Sequence, residues 1–117
     1  CEEETLDQAI GLFQAAGLAV SVIDDAPGLV VARTVAMLVN EAVELVARGE
    51  ATAEDVDIAM RLGTGYPEGP LAWGDRLGAG TIAEVLTELA RAYPSGRYRP
   101  ALHLVRAAET GRSLRSL

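Results

Sequence analysis

Apolar positions recur at helical spacing over most of the chain. In "EEETLDQAIGLFQAAG", Leu6, Ile10 and Phe13 share one helix face, acids crowd the first turn, and Gly17 closes the segment. The stretch 29–48 is longer and more apolar. Val31, Val35, Leu38, Val39, Ala42 and Val46 line one face, while Val30, Ala36, Val43 and Leu45 make the other faces apolar too. A helix that is apolar nearly all round is buried on more than one side, which predicts a central helix or a subunit interface. Gly49 ends it. Thr52 reads as an N-cap with Glu54 and Asp55 in the first turn, opening a helix that buries Val56, Ala59, Met60 and Leu62. A short helix follows Pro70, and another covers about 81–93 with Ile82, Val85, Leu86 and Leu89 inward. The last, near 100–110, is expected to bury Leu102, Val105 and Ala108. Only "LAVSVI" at 18–23 alternates and is rich in β-branched residues, so it predicts one short strand before the turn "DDAPG". The fold class is mainly α, a compact helical bundle with one short N-terminal strand. A single strand makes no sheet, so this one lies at the edge of another domain or runs as an extended linker.

Composition narrows the picture. The 117 residues fit one domain, and 50% are apolar, enough for a core without disulfides or metal. With five aromatic residues, that core must be Ala, Val and Leu packed closely between helices. The net charge of −7 is unevenly placed: residues 1–90 carry sixteen acids and four Arg, whereas 91–117 carry six Arg and Glu109 alone. An acidic chain argues against nucleic acid as a partner and against a helix-turn-helix DNA binder. The basic tail could meet a phosphate or an acidic partner surface, though a solvated helix explains it as well. One Cys and one His provide neither a disulfide nor metal-ligand spacing, so no metal is expected, and the setting reads as reducing and cytoplasmic. The longest uncharged run, 9–23, is too short for a bilayer, which needs ~20 residues, so no membrane partner is expected. A chain that starts at Cys1 reads as a fragment of a longer protein.

The segment "RLGTGYPEGPLAWGDRLG" at 61–78 gathers five Gly, two Pro, the only Trp and Tyr66. Gly63 fits a helix C-cap, while Gly65, Gly69, Pro67 and Pro70 fit sharp turns. Tyr66 and Trp73 would then plug the top of the bundle. On composition this is a loop that holds one shape for packing.

The stretch from Pro27 to Gly78 resembles the C-terminal domain of NAD-dependent 3-hydroxyacyl-CoA (3-hydroxybutyryl-CoA) dehydrogenases. That family reads P-G-F-I-V-N-R, then N-E-A, then D-I-D-x-A-M-x-L-G-x-G-Y-P-x-G-P and D-x-x-G. The matches here include Pro27, Gly28, Arg33, Asn40, Glu41, Ala42, Asp55, Asp57, Ala59, Met60, Gly65, Tyr66, Pro67, Gly69, Pro70, Asp75 and Gly78. "RYRPALHLVRAAETG" is similar to the family's ending, and the likeness covers roughly 24–111. It implies a bundle like that of 6-phosphogluconate dehydrogenase C-terminal domains, at 27–111, with a linker helix and strand at 1–26 and a flexible tail at 112–117. It also implies an enzyme whose N-terminal dinucleotide-binding domain, outside this fragment, holds NAD and a His–Glu pair. The helical domain would supply a homodimer interface and a wall of the acyl-CoA pocket.

The chain departs from that pattern at informative places. Ala32 stands where the family has the substrate-positioning Asn, and a methyl group makes no hydrogen bond. Leu29 replaces Phe and Met37 replaces Pro. No Gly-x-Gly-x-x-Gly occurs, so neither a catalytic residue nor a cofactor-binding residue is expected here. His103, the only His, reads as a surface or helix-packing residue. Ala32, Arg33, Met37, Asn40, Tyr66, Pro67 and Trp73 remain as candidates for the substrate pocket or the dimer interface. "PLAWGDRLG" is similar to the second of two tandem helical domains in bacterial members of phenylacetate breakdown, which identifies the fragment with that copy. The rival reading is an interaction module descended from such enzymes.

Overall fold

The computed structural model describes residues 2–117; Cys1 lies outside them. Helix α1 (Glu3–Ala15) begins with Glu3 and Glu4 in its first turn, where the helix dipole favours them. It ends in a Schellman turn. Gly17, at φ +82°, donates its amide to Gln14, and Leu18 donates to Phe13. Nothing in α1 is buried. Residues 18–26 form neither helix nor strand, which corrects the strand expected at 18–23: the described residues offer it no partner to pair with.

Helix α2 (Val31–Ala47) is the central element and packs against four others: α3 (Ala53–Thr64), α4 (Pro70–Leu77), α5 (Ala79–Ala92) and α6 (Leu102–Thr110). Its buried side chains, Val35, Ala36, Val39, Asn40, Ala42 and Val43, span a wide arc, as its apolar faces require. Val31, read as inward, is instead 73% exposed, and Leu29 and Val30 beside it are exposed as well. Gly49, at φ +73°, ends α2 with the same turn that closes α1.

Thr52 caps α3 as expected, its Oγ1 accepting the Asp55 amide at 3.1 Å. The inward face differs. Ala53, Val56 and Asp57 are buried and Met60 is partly so, whereas Ala59 is exposed and Leu62 is 79% exposed. The C-cap of α3 is Gly65 in the left-handed region, and Gly63 lies inside the helix. Pro70 opens α4, and Leu71 is its fully buried residue. Ile82, Leu86 and Leu89 turn inward from α5, with Val85 partly buried. In α6 the buried residues are Leu104 and Ala107, while Leu102 is exposed, so the face is offset from the expected one. The tail at 112–117 is not loose. It forms a 3-10 turn (Leu114–Ser116) that places Leu114 wholly inside the core.

Candidate functional site

Three motif residues with strong polar groups bind backbone, each from a different helix. Asn40, buried on α2, donates from Nδ2 to the Arg99 carbonyl at 3.1 Å and accepts the Ala101 amide on Oδ1 at 2.7 Å. Both ends of the amide are used, and together they fasten the segment entering α6 to the central helix. Asp57, buried on α3, accepts the amides of Leu71 at 2.8 Å and Ala72 at 3.0 Å. Those are first-turn donors of α4 that lack intrahelical partners, so Asp57 caps a helix from 14 residues away and places its charge at the positive end of the dipole. Gly69 is required beside it, because a Cβ there would lie 2.3 Å from the Asp57 side chain. Asp75 on α4 repeats the device on the tail. It accepts the Ser113 hydroxyl at 2.5 Å and the Leu114 amide at 2.6 Å. Gly74, next to it, lets Val39 and Leu114 close in, since a Cβ would sit 2.7 Å from each.

Arg33 is held differently. Its guanidinium lies 5.1 Å from the Tyr93 ring centre and 5.7 Å from that of Tyr98, and Nη2 donates to the Tyr93 hydroxyl at 3.4 Å. The two rings are themselves 5.9 Å apart. The two neighbouring rings stabilise the cation without a carboxylate, while the buried Nε has no hydrogen-bond partner among the described residues. A shallow cleft of about 380 Å³ opens here between Arg33, Thr34, Met37, Leu38, Glu41, Arg97 and Tyr98. Asn40 borders a second cleft, of about 690 Å³, with Glu41, Glu44, Arg48, Arg97 and His103. Pro67 borders a third, with Asp57, Arg61 and Arg115.

The seven candidates therefore do not form one site. Arg33 and Met37 share a cleft, Asn40 clamps backbone, and Pro67 stands apart on the α3–α4 connection. Ala32 is exposed and lines none of these clefts. Trp73 is half-buried against the core and Tyr66 is half-buried, so neither plugs the bundle; Leu71 takes the buried place. Tyr98, Asp57 and Asp75 were absent from the candidates. "RYRP" and the two aspartates of the motif were the available signals for them.

Ligand chemistry is sparse. Among the described residues no three His, Cys, Asp or Glu side chains converge as a metal site would need, and no helix is long and apolar enough to cross a membrane. Gly78 to Ala83 reads G-A-G-T-I-A, close to a dinucleotide fingerprint, but it follows helix α4 where that fingerprint requires a strand. The residues present do not fit NAD. Arg97, Arg99, Arg106, Arg112 and Arg115 make no ion pair among the described residues, whereas Arg48, Arg76 and Arg91 each meet a glutamate.

Comparison with known proteins adds what the geometry cannot. Residues 28–116 match the family model for the C-terminal domain of 3-hydroxyacyl-CoA dehydrogenase, and residues 1–27 match that for the 3-hydroxybutyryl-CoA dehydrogenase reduced Rossmann-fold domain. A 3-hydroxyadipyl-CoA dehydrogenase of Escherichia coli is 47% identical over 93 residues, covering 80% of this chain and 20% of the relative. A 3-hydroxybutyryl-CoA dehydrogenase of Clostridioides difficile is 38% identical, covering 77% and 33%. The crystal structure of an Escherichia coli 3-hydroxybutyryl-CoA dehydrogenase superposes with a TM-score of 0.85 at 42% identity, over 94% of this chain and 23% of its own. That of an (S)-3-hydroxybutyryl-CoA dehydrogenase from Ralstonia eutropha gives 0.89 at 30% identity, over 94% and 39%. The chain thus spans a fifth to a third of the length of these curated relatives.

Proposed function

This chain belongs to the 3-hydroxyacyl-CoA dehydrogenase C-terminal domain family, and from that premise we propose that it is the helical part of an enzyme oxidising 3-hydroxyacyl-CoA to 3-oxoacyl-CoA with NAD. In this reading it supports assembly and the shape of the acyl-CoA pocket and brings no catalytic group. The observation that carries it is the commitment of Asn40, Asp57 and Asp75, three of the polar motif residues, to backbone locks. Side chains spent on holding helices together are not available to a substrate. Ala32, where the family places a substrate-positioning Asn, adds only a methyl group. General acid–base chemistry needs a titrating group within hydrogen-bond reach of the reacting proton; the lone His103 shares its cleft with Glu41 and Glu44 but pairs with neither among the described residues. The cofactor and the base would come from the dinucleotide-binding domain of the same protein.

Two features support the tandem reading, in which this is a second helical domain. The reduced Rossmann-fold match at 1–27 lies directly upstream of the bundle. The aligned 93 residues are 20% of the Escherichia coli relative but 33% of the Clostridioides difficile one, so the former has length for additional domains. A homodimer is part of the proposal, with the exposed Leu29, Val30 and Val31 as the apolar surface available to it. One Cys in 117 residues supports a reducing, cytoplasmic setting.

The test is turnover. The parent protein is expected to reduce NAD with 3-hydroxybutyryl-CoA, and the 117-residue chain alone to show no turnover. A parent that binds other proteins but turns over no 3-hydroxyacyl-CoA would favour the interaction module instead.

A further inference from the structure

We infer that a groove between α2 and the loop at 94–99 holds coenzyme A, with Arg97 and Arg99 on its phosphates. The loop is built to keep one shape. "PSGRYRP" opens and closes on proline, and Gly96 turns at φ +81°. Tyr98 is its inward residue, 8% exposed, with its ring 5.9 Å from that of Tyr93. Asn40 fastens the exit through the Arg99 carbonyl at 3.1 Å and the Ala101 amide at 2.7 Å. With Tyr98 turned in, Arg97 and Arg99 on either side of it are exposed. Neither guanidinium makes a hydrogen bond or an ion pair among the described residues, although Glu41 and Glu44 line the same cleft. Glu44 meets Arg48 instead, at 3.8 Å. Two unpaired guanidiniums on a fixed backbone lower the ordering cost of gripping an anion, and their planar forks match phosphate oxygens.

The groove selects the rest of the ligand. The cleft of about 690 Å³ beside Arg99 shares Glu41 and Arg97 with the cleft of about 380 Å³ nearer the start of α2, so the two join. Together they follow α2 from Arg33 to Arg48, about 22 Å of helix at the standard rise. The chemistry changes along this length. Met37, Leu38 and Tyr98 make one end largely apolar, whereas Arg97 and Arg99 make the other basic. A matching ligand is elongated, neutral at one end and polyanionic at the other. Coenzyme A has that form, a pantetheine arm followed by a pyrophosphate and a 3′-phosphate. Glu41, where the clefts meet, accepts an amide N–H of the arm and keeps the phosphates on the arginine side. The Arg33 end lies one residue from position 32, so the arm leads the acyl group toward the place where the family contacts substrate.

This inference rests on the proposed reading that the parent protein handles acyl-CoA, but its readout is binding and not turnover. Isothermal titration with CoA is carried out on the parent protein and on its Arg97→Ala/Arg99→Ala variant. The expected result is a Kd raised at least ~10-fold at an unchanged melting temperature, because both side chains are exposed and hold nothing else. Pantetheine, which lacks the phosphates, is expected to bind parent and variant alike, and the difference for CoA to shrink in high salt. Added 3′,5′-ADP is expected to displace CoA, and inorganic phosphate at the same concentration to leave it bound. Absent CoA binding, or a variant Kd within twofold of the parent's, would overturn the inference. So would an equal loss for pantetheine, which marks a change of shape, or equal displacement by inorganic phosphate, which makes this a site for free phosphate. A parent that turns over no 3-hydroxyacyl-CoA yet loses CoA affinity in the variant would keep the site and remove the catalytic reading.

Discussion

The carboxylate of Asp57 and the missing Cβ of Gly69 are two halves of one joint. Asp57 reaches the amide of Leu71 at 2.8 Å only because Gly69 leaves the space that a methyl group would occupy, 2.3 Å from the Asp57 side chain. The joint fixes the angle at which α3 hands the chain to α4, and α4 in turn carries Leu71 into the core.

Asp57→Ala is therefore expected to destabilise the domain by about 3 kcal/mol, because two buried amides lose a charged acceptor and the α4 dipole loses its counter-charge. Asp57→Asn, which keeps one acceptor oxygen, should cost less. Urea unfolding followed by far-UV circular dichroism measures both; equal and negligible losses would remove the lock from the account.

Glycine substitutions should separate by surroundings. Gly69→Ala and Gly74→Ala force a methyl group into occupied space and should each cost about 1–3 kcal/mol. Gly63→Ala meets open space within α3 and should stabilise by roughly 0.5–1 kcal/mol. Melting temperatures of the three variants check the sign in each case.

Leu114→Ala is expected to cost about 2–5 kcal/mol, the range for emptying a fully buried leucine site. Removing residues 112–117 should cost at least as much, since Asp75 also loses its partners. Thermal unfolding that is unaffected by the truncation would return the tail to the loose state expected from sequence.

The helices were legible because their periodicity is long and their punctuation local: Thr52, Pro70, Gly49 and Gly17 act within a turn of themselves. The inward faces of α3 and α6 were harder. These helices are short, with 12 and 9 residues, and an apolar reading put Leu62 and Leu102 inside while it could not place the buried carboxylate of Asp57. The failure of 18–23 to pair and the seating of Leu114 depend on what the chain meets far from these residues, which no local pattern reveals. The candidate site was legible as a motif. Its division into three locks and an arginine stack depended on which side chains reach backbone.

Surface and core valines should separate association from folding. Val43→Asp places a charge in a fully buried position and should prevent folding. Val31→Asp, at a position 73% exposed, should leave the circular dichroism spectrum intact and shift sedimentation toward monomer. A Val31→Asp protein that stays dimeric places the interface elsewhere.

The central claim is that Asn40, Asp57 and Asp75 serve the fold and not the chemistry, and Asn40→Ala in the parent protein tests it most directly. The variant loses the bonds to Arg99 and Ala101. The account predicts a lower melting temperature, from a stability loss of about 1–3 kcal/mol, with kcat per folded enzyme within about twofold of the parent. An unchanged melting temperature with kcat down by about a hundredfold or more would place Asn40 in the reaction and contradict the account.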